Sequence, residues 1–382
     1  MAIYDKGLGS VPPGMDVLGV LTHGYNCVVD KLMGELAPFM EPYKIGITIA
    51  DASNPYAPME YIPKWVWYER IGTVPTDNIG LLATMEQFIN QYQIMGIPVF
   101  YHIDDALFFI NDKAPLKYLD KCDKTVVSSL ALAEYLLINH NYKKPVYILK
   151  THVDLNMFDL IDIPEYLIKK DMFNILFTSQ GRIGSLMFRR IVERMNQNPE
   201  KYKNVNLISV TAGVAQIRSI INEFRNVKKS YYEWMNVREF YGLVKGCQLI
   251  IAPGEVGDLD YIVSADMQPL WLDAKSCVKY TLAGAARIPC IASPMREYAL
   301  AIKNGVNGLI AENIDEWMDC IDNLLTNANL REDIGREARA DVEMNWEARI
   351  RAKQLVDILR EEGDECLCVL APEEKEEVKE TS

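Results

Sequence analysis

The chain has 382 residues, 49% apolar and 24% charged, which gives room for two ordinary globular domains, each with its own core. No apolar run approaches the ~20 residues needed to span a bilayer, and the opening MAIYDKGLGSVPPG lacks the basic and apolar regions of a signal peptide, so a cytoplasmic protein is expected. The net charge is -13; from Glu361 onward nine acids and two lysines carry -7, leaving -6 for the other 360 residues. An acidic body opposes broad binding to nucleic acid or anionic lipid, and the run EEKEEVKETS reads as a solvated, disordered end over 361–382. Eight cysteines include no CxxC pair, and Cys247, Cys290 and Cys320 lie in apolar patterns, as free reduced thiols do.

Met15 to Leu21 is a short apolar run ending in Thr22-His23-Gly24-Tyr25-Asn26, and a helix pattern follows from Val28 to Phe39. Strand, glycine-bearing loop, helix is how a doubly wound α/β domain begins. Tyr43 to Ala50 is the next strand candidate, and residues 52 to 78, rich in Pro, Asn, Tyr and Trp, read as an irregular excursion. Ile79 to Met95 reads as a helix and Ile97 to Ile103 as a buried parallel strand running into Asp104-Asp105. That puts His102, Asp104 and Asp105 at the strand edge where α/β sheets bind ligands. His23 and Gly24 hold the corresponding place after the first strand, where a glycine lets backbone approach a ligand closely. A helix around Leu116 to Cys122, the strand Thr125 to Ser128, a helix from Ser129 to Asn139 and the strand Pro145 to Lys150 continue the alternation.

Residues 156 to 170 have no clear period and contain Pro164, which makes them the interdomain connection. The alternation restarts with Met172 to Thr178, a loop at Ser179-Gln180-Gly181-Arg182, and a helix from Ser185 to Asn196. Further strands are expected at Val205 to Val210, Gln248 to Ala252, Cys290 to Ala292 and Leu309 to Ala311, with Glu255 to Trp271 as a long loop. Asp273 reads as the N-cap of a helix running to Ala286, with Lys275 and Lys279 four apart on one face of its first turn. An anion is held well at such a helix start. The domains expected are 1–165, 166–342 and a helix over 343–360 that returns to the first domain, with ligand in the cleft between the halves.

The second half resembles the glycosyl transferases group 1, or family-4, class of GT-B glycosyltransferases. The residues that carry this are Leu272-Asp273-Ala274-Lys275-Ser276, Lys279-Tyr280, Ile288-Pro289-Cys290-Ile291-Ala292-Ser293 and Asn304-Gly305-Val306-Asn307-Gly308-Leu309-Ile310. Trp317, Leu324, Leu325, Arg331, Gly335 and Ala338 fit the closing pattern, and Ile103 to Phe108 is similar to a segment of some members. The match is specific from about Asp273 to Trp346.

The resemblance implies two Rossmann-like, doubly wound α/β domains facing across a cleft. It also implies retaining, metal-independent transfer of a hexose from a nucleotide-diphosphate sugar to a hydroxyl acceptor, with no further cofactor. Arg182 and Lys275 match the family's basic pair on the leaving diphosphate, where fixed cations in a dry cleft stabilise developing charge. Lys279, Ser276, Gly181 and Ser179 match donor-binding positions, and His102, Asp104, Asp105, His23 and Gly24 stand as acceptor or sugar candidates. This chain departs from the pattern at three places. Ala274 and Leu282 occupy the two positions where members commonly carry glutamates, and Arg287 replaces a glycine before the Ile-Pro step. Two competing readings follow: transfer to a modified base in DNA, and a binding or scaffold protein that kept the fold and lost catalysis.

Overall fold

A computed structural model describes residues 11–22, 33–51, 62–69, 79–104, 116, 118–179, 184–211, 215–223, 225–233, 235–258, 267–362 and 368–369. The first sheet contains β1 (Asp16–Thr22), β2 (Ile45–Asp51), β3 (Trp65–Glu69), β4 (Val99–Ile103), β5 (Lys124–Val127), β6 (Val146–Ile148) and β13 (Cys368–Val369). Its order is β13-β6-β5-β4-β3-β1-β2, all parallel except β13, which pairs antiparallel with β6. The second sheet contains β7 (Phe173–Ser179), β8 (Val205–Thr211), β9 (Lys228–Tyr232), β10 (Leu249–Ala252), β11 (Cys290–Ala292) and β12 (Leu309–Ile310), in the order β12-β11-β10-β7-β8-β9 and parallel throughout.

Both sheets are doubly wound. The chain order reverses between β1 and β3 in the first sheet and between β7 and β10 in the second, and ligands of such sheets bind outside the strand ends at the reversal. Strands β3, β4, β7, β8, β10 and β11 are buried almost throughout, as parallel strands covered on both faces must be.

Several elements differ from the sequence expectation. The excursion at 52–78 holds β3, whose Trp-Val-Trp-Tyr-Glu run is wholly buried in the middle of the sheet. Strand β9 was not anticipated either, because Lys228-Lys229-Ser230 at the sheet edge carries no apolar run. In the Leu116 to Cys122 stretch Leu116 is helical and residues 118–121 form turns, with Cys122 N bonded to Tyr118 O. The connection contains a helix, Leu155–Leu160, which starts where the Asp154 side chain accepts from Met157 N at 3.0 Å. Within the expected tail, Cys368–Val369 forms β13. Of the Val28 to Phe39 helix pattern, the described part is helical over Glu35–Met40.

The helix expected from Asp273 to Ala286 is shorter, Val278–Ala285 with Cys277 at its N-cap, and a separate helix, Gln268–Asp273, begins inside the expected long loop and ends before the turn at 274–277. Asp273 therefore ends a helix rather than starting one, and its carboxylate accepts from Arg296 N at 3.3 Å. At its other end Val278–Ala285 closes with a Schellman pattern: Ile288 N bonds Ala283 O and Arg287 N bonds Gly284 O, both at 3.0 Å. That pattern requires a left-handed residue after the cap, and Arg287 adopts φ 59 there.

The chain crosses between the halves near 154 and returns at 346–347, and the two crossings touch: Val153 N donates to Trp346 O and Ala348 N to Val153 O, each at 3.0 Å. The Ala348–Arg360 helix then buries Ala352, Leu355, Val356, Ile358 and Leu359 in the same cluster as Leu18 and Val20 of β1 and Leu36. At about 1.5–3 kcal/mol for each large side chain, that burial holds the last helix on the first sheet. Beside the crossing, the buried Glu35 carboxylate accepts from Asp154 N at 2.9 Å and from the Tyr241 hydroxyl, tying the first half to the Val237–Lys245 helix of the second.

Candidate active site

Two clusters line the C-terminal ends of the strands, one in each half. In the second half, Gly254 N donates to Ser293 Oγ at 3.1 Å, joining the loops that follow β10 and β11. Asp258 folds back onto the N-terminus of the Ser185–Gln197 helix, accepting from Gly184 N at 2.7 Å, Leu186 N at 3.1 Å and Glu255 N at 3.0 Å. These donors offset the burial that pushes the Asp258 pKa up. Gly184 has φ 75, and a Cβ there would sit 2.4 Å from the Pro253 carbonyl oxygen, so the close approach of the two loops requires glycine. The loops on either side of the β7/β10 reversal are thereby locked together.

Lys275 and Lys279 stand at this edge, though not on one helix face. Lys275 lies in the turn between two helices, with its ammonium 3.5 Å from the centroid of the Trp271 ring. Lys279 is in the first turn of Val278–Ala285. Burial pushes its pKa down to about 8; the nearby Lys275 acts in the same direction, while Cys290 and Asp258 oppose it. Two cations are thus held near each other in a site that desolvates one of them, and a bound dianion relieves both costs.

Ser179 ends β7 and is 6% exposed, while Ser276 lies in the Lys275 turn and is partly exposed. Arg182 and Gly181 lie outside the described residues. Ala274 and Leu282, where the resemblance expects glutamates, are 1% and 3% exposed and belong to the apolar core.

In the first half, Glu69 ends β3 directly opposite His102 of β4. The Glu69 carboxylate, fully buried, accepts from His102 Nδ1 at 2.9 Å and from Trp67 Nε1 at 2.9 Å. A carboxylate oxygen only accepts, so in this contact His102 donates through Nδ1. Asp104 follows β4, and its backbone oxygen accepts from Ser128 Oγ at 2.8 Å. Asp105, His23 and Gly24 lie outside the described residues.

The two clusters belong to one cleft. Ser129, next to Ser128, donates through Oγ to Ala274 O at 3.2 Å, immediately before Lys275. The Arg296–Ala301 helix reinforces this seam: the Arg296 guanidinium grips Glu134 through bonds of 2.5 and 2.7 Å, and Glu297 accepts from Leu130 N at 3.2 Å. The structure thus brings His102 and Asp104 of the first sheet to the same edge as Lys275 and Lys279 of the second.

Glu69, Asp258, Trp271 and the Ser129–Arg296 seam were not singled out in the sequence. For Glu69 a signal existed, since an acid closing the aromatic, β-branched run Trp65-Val66-Trp67-Tyr68 is a strand-end carboxylate. Asp258 and the seam depend on contacts 72 to 167 residues apart in sequence, which no local pattern carries.

No protein-family model and no curated protein matches the sequence. Solved structures do match the fold. A glycosyltransferase from Rickettsia africae superposes with a TM-score of 0.61 at 13% identity, over 91% of this chain and 98% of that one. Anabaena HepE in complex with UDP-glucose gives 0.58 at 12% identity, over 91% and 100%. An alpha-glucosyltransferase in complex with UDP-glucose and DNA containing an abasic site gives 0.66 at 8% identity, over 91% and 99%. With both halves superposed over nearly their whole length, the chain has the GT-B fold of these glycosyltransferases: two doubly wound α/β halves facing each other across a cleft.

Proposed function

We propose that this protein is a glycosyltransferase that moves a hexose from a nucleoside-diphosphate sugar to a hydroxyl acceptor, retaining the anomeric configuration and using no metal. The observation that carries the reading is the pairing of Lys275 with Lys279 at the strand-end edge of the second sheet, one of them desolvated enough to bring its pKa to about 8. A diphosphate is the ligand class that most needs two such cations, because its leaving oxygen gains charge as the glycosidic bond breaks. Arg182, three positions after the last residue of β7, is assigned the opposite side of the diphosphate, with Ser179, Gly181 and Ser276 as donor contacts. On the acceptor side His23, Gly24, His102, Asp104 and Asp105 are assigned to hydroxyl recognition. Retention and metal independence rest on the resemblance of the 273–346 region to family-4 enzymes.

UDP-glucose is the donor to try first, since two of the fold's neighbours are complexes with it. Turnover of a panel of nucleotide sugars, with Lys275→Ala and Arg182→Ala as controls, tests the assignment. Loss of turnover in both variants, an α-anomeric product from UDP-glucose and indifference to EDTA support it. If no donor binds or raises the melting temperature of the wild type, the enzyme reading fails, and the alternative of a catalytically silent binding protein, which Ala274 and Leu282 favour, takes its place. The likeness to a transferase bound to DNA raises a modified DNA base as a second acceptor class. The acidic net charge of -13 opposes it, and a gel-shift titration at low salt decides between them.

A further inference from the structure

The turn that carries Lys275 leaves a carbonyl to be satisfied. Ala274 caps the end of Gln268–Asp273, where the last carbonyls of a helix have no partner within it. Ala274 is 1% exposed, so water does not supply the missing donor. The donor comes from the other half of the molecule: Ser129 Oγ donates to Ala274 O at 3.2 Å. The same hydroxyl accepts from Leu132 N at 3.3 Å and so caps the Leu130–Glu134 helix. Its O–H serves the second half and a lone pair serves the first.

That short helix is gripped at both ends from the second half. Glu297 accepts from Leu130 N at 3.2 Å, and the Arg296 guanidinium bonds both oxygens of Glu134 at 2.5 and 2.7 Å. Arg296 N then donates to Asp273 Oδ1 at 3.3 Å, next to Ala274, which closes a ring of contacts from Ser129 through Glu134 and Arg296 back to the turn. Lys150 of the first half adds an ion pair with Glu297 at 3.5 Å. The main chain on which Lys275 stands is therefore set from the first half as well as from its own. Resting on the diphosphate assignment above, we infer that Ser129 is a positioning residue for the donor site: its hydroxyl, kept in place by the Arg296–Glu134 and Glu297–Leu130 contacts, fixes the turn at 274–277, so that a diphosphate site in the second half is complete only with the first half docked against it.

Threonine and glycine rank alike as helix N-caps, so comparing Ser129→Thr with Ser129→Gly separates the bond to Ala274 from the capping role. In calorimetry with UDP the dissociation constant is expected to rise about fivefold in Ser129→Gly, the size of one neutral hydrogen bond, and to stay within about twofold of wild type in Ser129→Thr. Hydrogen exchange without ligand is expected to quicken in peptides covering 272–278 in Ser129→Gly and in Arg296→Gln, which loosens the grip on Glu134, and to stay unchanged in the Ser185–Gln197 helix, so that a general loss of stability is told apart from a loosened turn. Exchange at 272–278 unmoved in Ser129→Gly, UDP affinity unmoved despite faster exchange, or Ser129→Thr binding as weakly as Ser129→Gly overturns the inference and leaves the diphosphate assignment standing. A wild type that does not bind UDP, with exchange at the turn still quickened in Ser129→Gly, removes the diphosphate assignment and with it the role inferred for Ser129.

Discussion

If the protein binds a diphosphate as proposed, Lys279 should make that affinity depend on pH. Its pKa falls from 10.5 to about 8, chiefly because burial disfavours the charged form. A phosphate oxygen about 4 Å from the ammonium contributes about 4 kcal/mol at an effective dielectric near 20, enough to keep the bound lysine charged well beyond pH 9.5. Binding then requires uptake of one proton by whatever fraction of the free protein has lost it. Between pH 7.5 and 9.5 the dissociation constant for UDP should rise by about 20–30-fold, approaching about tenfold per pH unit at the upper end. The terminal phosphate, with its second pKa near 6, stays ionised throughout. Unfolding does not mimic the effect. Between about pH 8 and 10.5 the unfolded chain retains a proton that the folded chain has shed, so the contribution of this lysine to stability rises with pH. Calorimetry in two buffers of different ionisation enthalpy counts the protons taken up, and Lys279→Met should bind more weakly at pH 7.5 with a flat profile above it. A wild-type affinity that stays constant from pH 7.5 to 9.5, or a Lys279→Met profile that still falls, refutes the reasoning.

Two further substitutions test the framework of the cleft. Glu69→Leu removes the acceptor of two buried N–H groups, Trp67 Nε1 and His102 Nδ1, and at about 1–3 kcal/mol each should lower stability by about 2–6 kcal/mol in urea unfolding; a loss below about 1 kcal/mol would mean the carboxylate is not the anchor described. Arg287→Gly should be neutral or stabilising by up to about 1.6 kcal/mol, since the left-handed conformation at φ 59 costs a side-chain-bearing residue about 1–2 kcal/mol and the added freedom of the unfolded glycine returns about 0.4–1 kcal/mol of that; a clear destabilisation would show that the side chain, not the turn, is needed.

The Arg287 turn also explains one departure from the family pattern. The Schellman closure of Val278–Ala285 is present with its two hydrogen bonds although the glycine is absent, so the sequence change costs conformational energy without removing the turn. The two missing glutamates have a different fate. Ala274 and Leu282 are packed into the apolar core, so the departure is structural and the site has no carboxylate at either place.

The alternation of apolar runs with helix periods was enough to establish two doubly wound halves, because a parallel strand buried on both faces must be continuously apolar and its crossover helix must show a 3.6-residue stripe. That logic located β1, β2, β4 to β8 and β10 to β12 within a few residues. It failed for β3, whose flanks are rich in turn-forming residues, and for β9, which lies at a sheet edge and is half-exposed. It also started a helix at Asp273, where one ends, since the turn at 274–277 contains neither proline nor glycine. The lysines at 275 and 279 stood out by their spacing, but the expectation that they share one helix face fails because Lys275 lies in the turn before the helix. Their surroundings were not legible. The carboxylate folded onto Gly184, the Glu69–His102 contact and the seam from Ser129 to Ala274 all join residues that only the meeting of strand ends and of the two halves brings together. Local propensity acts over one or two turns of chain, whereas burial, which here lowers one lysine's pKa, depends on which strands and loops the fold packs around it.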